Sequence, residues 1–546
     1  MNRKWNTPEA RRALLCELVG WDSRTFTEGE RTFAWKLEAK LQELAYFRQH
    51  PGQLELHDSG HGRYALTALY RQPEITETVV LISHFDTVQT EEYGTLEEYA
   101  CSPEELTRKL HEVKNDLPLE AQLDLDLGEY LFGRGTMDMK AGLAAHLSIL
   151  EQAVDEQWPV NLLLLTVPDE EVNSAGMRAA VSALAAIRER EGLTYKLFLN
   201  GEPTFTQEPG DQQEYLYTGT IGKIMPAALF YGKESHVGEP LKGITANYIA
   251  SYLTQRMEFS PLFEETVYGE STPLPVSLHQ KDLKTQYSTQ TPYRAAALYN
   301  VFLMKQTASD VMARFEQVAF EAADACNADY GRLCMERGIA GVGSVRVMRY
   351  EQLLGYASVK LGPAAVERLK REAIARAGAD ERDQSFAVAD ALLIECQELA
   401  PAMVLLFAPP YYPAVSSSDS PLVAEAAALM KSAAIGLGTT VEQVHFYNGI
   451  SDLSYVNYKD DGTGWLAYEQ NTPVWGQSYD IPFAGMASLD APVFNLGPFG
   501  KDPHQRTERL HIDSAFRRLP AMLEILIKHL ARQPAEGGQT TSAVPQ

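Results

Sequence analysis

Apolar residues in the first two hundred positions gather in short unbroken runs instead of alternating with polar ones. VVLISHF (79–85), LLLLTV (162–167) and KLFLN (196–200) have the length and texture of strands buried on both faces. Between them, AGLAAHLSILEQAV (141–154) and AGMRAAVSALAAIRER (175–190) follow a helical period, as does the N-terminal segment. Strand–helix alternation of this kind predicts βαβ units and a largely parallel sheet. APVFNLGP (491–498) adds a strand near the other end, followed by a final helix around 513–532. Pro168 cannot continue a central ladder, so the second run must surface abruptly into Asp169, Glu170 and Glu171.

The texture changes between about 220 and 417. GKIMPAALFYGKESHVG and MVLLFAPPYYPAV flank long amphipathic helices and a Thr- and Tyr-rich stretch near 260–295. The expected organisation is an α/β body made of 1–219 and 418–532, an inserted α+β domain at 220–417, and a disordered tail at 533–546. The acidic segment 91–130 reads as an excursion carrying a capped helix, SPEELTRKLHEV (102–113).

A chain of 546 residues exceeds one ordinary core, in keeping with two domains. The net charge of −25 argues against a nucleic-acid partner, which needs clustered Lys and Arg. Cys16, Cys101, Cys326, Cys334 and Cys396 are odd in number and form no C-x-x-C, which points to a reducing compartment and away from a thiolate metal site. Without a signal-peptide core or a stretch of roughly 18 apolar residues, no membrane association is expected and the location reads as cytoplasmic.

The residues just past each apolar run carry the chemistry. His84 and Asp86 come after the first, Glu170 and Glu171 after the second, and Glu202 after the third in N-G-E-P. His504 comes after the last, and Asp138 sits in the glycine-bracketed loop GRGTMDMKAG. Ligands of open α/β sheets bind outside the carboxyl ends of the strands. Two imidazoles and several carboxylates without a thiolate suit Zn²⁺, Co²⁺ or Mn²⁺, and five candidates, one able to bridge, suffice for two ions. Such a centre would let the acids at 169–171 stand side by side. Each element alone is unspecific. H-x-D arises by chance, an acidic pair after a strand is commonly a solvated turn, and N-G-E-P is a turn signature.

Together, S-H-F-D-T-V, G-R-G-T-M-D-M-K-A-G, D-E-E, N-G-E-P and G-P-x5-H-x3-E resemble the M20 family of dinuclear zinc aminoacylases, carboxypeptidases and dipeptidases. GKESHVGEPLKGITAN (232–247) is similar to that family's inserted lid, and the chain's length and its F-x-N-G-I-S-D-L-S-Y type of segment look most like the Roc-type arginine-utilisation branch. The resemblance implies a zinc-peptidase-like catalytic domain with a lid and dimerisation domain. It implies that Asp138 bridges two metals, that His84 and Glu202 complete one site, and that Glu171 and His504 complete the other. Glu170 becomes the general base, Asp86 the acceptor that fixes the His84 tautomer, and lid residue His236 an oxyanion donor, in many relatives supplied across a homodimer. By itself His236 reads more readily as an exposed loop histidine beside Lys233 and Glu234. Asn247, Ser451 and Asp452 become substrate-pocket candidates, the last two also readable as turn caps. Three departures stand out: the 91–130 excursion, extra material around 255–395, and G-I-S-D-L-S where peptidase relatives carry G-T-S-D-A-R. Without that arginine, a free substrate carboxylate must find another partner. The implied activity is hydrolysis of an amide in an N-acyl amino acid or small peptide, an arginine derivative among the candidates. A dipeptidase or carboxypeptidase, or a non-catalytic metal-binding sensor in amino-acid catabolism, are the alternatives.

Overall fold

The computed structural model describes residues 4–204, 206–208, 210–211 and 213–532; the tail expected to be disordered, 533–546, lies outside them. The described chain divides into two compact units, one of residues up to 220, 416–457 and 484 onward, the other of 221–415 and 458–483.

The first unit is built on an eight-stranded sheet in the order Leu54–Asp58, Tyr64–Tyr70, Asn161–Val167, Glu77–His84, Thr194–Asn200, Val493–Asn495, Glu214–Tyr217, Val441–Val444. The four strands from Asn161–Val167 to Val493–Asn495 are mutually parallel, and all seven residues of Asn161–Val167 are buried. That is why these segments read as continuous apolar runs: helices such as Ala141–Glu156 and Ala175–Glu191 supply further apolar surface. The Tyr64–Tyr70 strand and its partner Leu54–Asp58 pair antiparallel at one edge, and the latter is only partly covered. Within the 91–130 excursion the helix runs Pro103–Leu110 and continues as a 3₁₀ turn over His111–Asp116. Ser102 stands at its N-cap, yet its side chain makes no capping hydrogen bond, so the cap read from the sequence is not formed.

Two glycines set how closely helix Ala141–Glu156 approaches the end of the Thr194–Asn200 strand. A Cβ on Gly142 would lie 2.1 Å from the Gly201 carbonyl oxygen, and one on Gly201 would lie 3.0 Å from Cε1 of His146. One turn beyond Gly142, His146 is fully buried and neither ring nitrogen has a hydrogen-bond partner among the described residues. Burial lowers its pKa to about 3. Above pH 6.5 the imidazole is neutral folded or unfolded; as pH falls from 6.5 toward 3, only the unfolded chain takes up the proton, so stability is lost over that window. The slope approaches about 1.4 kcal/mol per pH unit. We expect metal-free His146→Leu to lose stability more gently than metal-free wild type between pH 6.5 and 4 in urea unfolding, and parallel curves would refute it.

The second unit carries a five-stranded sheet in the order Val276–Asp282, Arg294–Leu303, Gly222–Tyr231, Ala402–Tyr412, Arg346–Arg349. All pairs are antiparallel except the last. Met225, Ala227, Leu229 and Tyr231 alternate onto one face, where they share a core with Leu353, Val366, Leu392 and Leu393 of three successive helices. Residues 458–483, which the sequence pattern leaves with the body, pack in this unit instead. The reason is aromatic: Tyr468 packs on Phe407 and Tyr411 of the Ala402–Tyr412 strand, with centroids 5.3 and 4.7 Å away, while Phe483 lies parallel to Trp465 and Trp475 within the segment. No helix among the described residues is long and apolar enough to cross a membrane, and all five cysteines are unbonded.

Candidate metal centre

His84 ends the Glu77–His84 strand, Glu170 and Glu171 come after Asn161–Val167, and Glu202 comes after Thr194–Asn200. Asp138 arrives from a turn, Thr136–Lys140, between the strand Tyr130–Phe132 and helix Ala141–Glu156. His504 stands in the loop joining the antiparallel strands Gly500–Lys501 and Arg509–His511. All of these belong to the first unit.

Asp138 is the common neighbour. Its Oδ1 lies 3.3 Å from Nε2 of His84 and its Oδ2 lies 3.1 Å from Nε2 of His504. Glu202 Oε1 stands 3.4 Å from the same His84 nitrogen, and Glu171 Oε2 3.1 Å from that of His504. Glu170 Oε2 is 3.9 Å from His84 Nε2. The other nitrogen of His84, Nδ1, faces the Asp86 main-chain carbonyl at 3.1 Å and the Asp86 carboxylate at 3.6 Å. With two acceptors on that side, Nδ1 carries the proton of the neutral ring, and Nε2 then has its lone pair toward the ring of acids.

That lone pair is the test of fit. His84 Nε2 is buried and makes no hydrogen bond, and ligand atoms of His84, Asp138 and Glu171 lie within 4.8 Å of one another. Imidazole and carboxylate without sulfur is a donor set for a hard or borderline divalent cation, so these residues could hold one or two. The electrostatics agree. Burial, reinforced by Glu202, Asp452 and Glu171, pushes Glu170 well above the ordinary carboxylate range, and burial likewise pushes Glu202 up to about 7. Burial alone would lower the His84 imidazole, but Glu202, Asp138 and Asp86 raise it well above its ordinary value. Carboxyl groups crowded this closely ionise together only with positive charge among them.

The three consecutive acids do not share one partner. Asp169 adopts a left-handed backbone conformation, φ 67°, and its buried carboxylate pairs with the buried guanidinium of Arg63 and accepts from the Ala175 amide at 3.0 Å. A cation centre is therefore not what lets Asp169 stand there. Asp86 contributes more than a tautomer: its carboxylate accepts from the amides of Glu170 at 3.0 Å and Glu171 at 3.3 Å, and from Thr25 Oγ1 at 2.9 Å. It thus fixes the turn that presents both glutamates.

Ser451 is buried and donates to Thr220 Oγ1 at 3.1 Å. Asp452 is buried with neither carboxylate oxygen in a hydrogen bond, and burial, with Glu202 adding to it, raises its pKa to about 7. His236 and Asn247 belong to the second unit, where both are exposed; Nδ1 of His236 accepts from the Gly238 amide at 3.1 Å. Tyr447, which the sequence pattern does not single out, is buried edge-on to Tyr217 at 4.9 Å and close enough to Glu202 and Asp138 for their charges, after burial, to hold its hydroxyl neutral. Only its place two residues before the G-I-S-D-L-S departure could have drawn attention to it.

Among known proteins, the sequence profile of peptidase family M20/M25/M40 matches residues 80–471. The chain is 40% identical over 548 residues to protein YqjN of Bacillus subtilis (strain 168), covering 98% of this chain and 99% of that one. It is 28% identical over 550 residues to protein RocB of the same organism, covering 96% and 95%. Of solved structures, the M20 family metallo-carboxypeptidase Sso-CP2 from Sulfolobus solfataricus aligns with a TM-score of 0.55 at 13% identity, over 94% of this chain and 98% of that one, a likeness of fold.

Proposed function

The chain belongs to peptidase family M20/M25/M40 and is a metallo-hydrolase; from that premise we propose that it cleaves an amide bond in an N-acyl amino acid or small peptide, arginine derivatives being the first class to try. The observation that carries the reading is Asp138, with one oxygen toward each of two imidazoles. In this reading His84 and Glu202 hold one divalent ion, His504 and Glu171 the other, and Asp138 both. Zinc is the first candidate, with cobalt and manganese next. Bound there, the ions supply water of lowered pKa and polarisation of the scissile carbonyl. Glu170, adjacent in sequence to a ligand but not itself one, accepts the attacking water's proton and hands it to the departing amine. Asp86 keeps Nδ1 of His84 protonated and the Glu170–Glu171 turn in place. Ser451 and Asp452, which belong to the same unit as the ligands, line the substrate's surroundings. Metal analysis of the purified protein, with N-acyl-arginines, arginine dipeptides and related amides screened by mass spectrometry, tests this directly. A protein without divalent ions, or one that leaves every such amide intact, would overturn it.

His236 is assigned to the oxyanion of the tetrahedral species. His236→Ala is expected to lower kcat by roughly 10²–10³-fold with metal content unchanged. If the histidine comes from a partner subunit, mixing His236→Ala with Glu170→Gln chains restores turnover. Demonstrated subunit exchange without restored turnover would confine His236 to its own chain.

A further inference from the structure

The segment between Asp86 and Asp138 is not spent on a loop. It folds as the 3₁₀ turn Glu91–Tyr99, the helix Pro103–Leu110, the 3₁₀ turn His111–Asp116 and the helix Leu119–Leu127. It then enters the strand Tyr130–Phe132, which pairs with Arg509–His511 of the His504 hairpin. The segment has a small core of its own, in which Leu106, Leu110 and Leu125 pack with Tyr130, Phe132 and Phe499. One part of it reaches the base of the hairpin through a charge.

Lys501 and Arg509 are direct partners across the hairpin ladder, and both are buried. Like charges directly opposite one another destabilise a strand pair, and more so out of water. Asp124, also buried, lies between them: its Oδ2 accepts from Lys501 Nζ at 3.0 Å and from Arg509 Nε at 2.7 Å. The same Arg509 pairs with Asp502, which accepts from Thr507 Oγ1 at 2.7 Å. Asp502 and His504 both have left-handed backbones, φ 57° and 62°, uncommon outside glycine although Asp and His adopt them more readily than most residues. Two further ties come from the segment, from Tyr93 Oη to the Gln505 carbonyl at 3.4 Å and from Glu120 to Lys501 at 2.9 Å. A third joins Glu92 to Arg134, whose other nitrogen holds Glu508 at 2.7 Å.

We infer that residues 91–127 are a clamp that holds the His504 hairpin against Asp138 and Glu171, and that Asp124 is its positioning residue, placing His504 for the cation it shares with Glu171. The inference rests on the dinuclear reading above. Asp124 touches neither ion nor substrate. Its carboxylate cancels the opposed charges of Lys501 and Arg509, and Arg509 passes the constraint to Asp502 and so to the hairpin tip.

Zn²⁺ titrated into chelator-stripped full-length protein separates the two claims. Wild type should bind two ions and His504→Ala one; failure of either result refutes the dinuclear reading itself. With those in hand, Asp124→Asn should weaken one of the two sites by about 10–100-fold, the usual loss when a residue that orients a ligand is removed, and leave the other within about threefold. Adding Lys501→Met to Asp124→Asn removes one of the opposed charges and should restore most of the lost affinity, a rescue that a general loosening of the fold would not give. A folded Asp124→Asn protein that binds both ions as wild type does, or a double variant no better than the single one, overturns the clamp. Should Asp124→Asn alone not fold, the double variant decides: two tight sites support the clamp and one weakened site overturns it.

Discussion

Asp138→Asn is expected to lose both tightly held ions at once and, with them, nearly all turnover. The two carboxylate oxygens face different histidines, 3.3 Å from His84 and 3.1 Å from His504, so no other residue of the ring serves both sides. Burial pushes this carboxyl group up, yet the two imidazoles hold it far below the ordinary carboxylate range, which marks it as the acid that stays charged. Asparagine keeps the shape but removes the charge and turns an N–H₂ toward one of the imidazoles, where a ligand oxygen was needed. Removing groups that only orient a ligand already costs about 10–100-fold in metal affinity, and a shared anionic ligand should cost more at each position. Plasma mass spectrometry on gel-filtered protein reads the loss independently of activity. Two ions per chain retained in the variant, with wild-type turnover, would remove Asp138 from the centre.

How much of the fold and the centre is legible in the sequence depends on how far apart the interacting residues lie along it. The strands ending at His84, Val167 and Asn200 announce themselves because burial on both faces leaves no polar alternation. Their carboxyl ends then point to His84, Glu170, Glu171 and Glu202 with no tertiary information. Asp169 misleads because adjacency in sequence says nothing about side-chain direction: a single left-handed residue sends it to Arg63, 106 positions away. Short strands such as Glu214–Tyr217 and Val441–Val444 are too brief to show a period and exist because they pair with each other. The same holds for Asp124, whose partners Lys501 and Arg509 lie 377 and 385 residues downstream. Within the helix Ala141–Glu156 every residue from Ala141 to Ala153 is buried, so His146 looks like one more position on a helix and not like an imidazole without partners.

Glu170→Gln should keep both ions and lose turnover by roughly 10²–10⁴-fold, the range for removing a general base. Nearly isosteric glutamine preserves the packing of a side chain that is only 8% exposed, and the turn that carries it is held through its main-chain amide by Asp86, which the substitution leaves untouched. What changes is proton chemistry: the amide can accept a hydrogen bond but cannot take up and later release a proton. Glu170 lies 3.9 Å from His84 Nε2, farther than Asp138 or Glu202, a placement suited to a group beside the ions and not bound to them. Burial and the neighbouring acids favour its protonated form, while cations in the ring favour its anion, so its working pKa depends on whether ions are bound. The metal-loaded wild type should therefore show an acidic limb in its pH–rate profile, and that limb should vanish from the residual activity of Glu170→Gln. A variant with normal metal content and near wild-type turnover, or one whose residual rate keeps the same acidic limb, would move the proton transfer to another group, with Asp452, buried beside the same ring, the next to test.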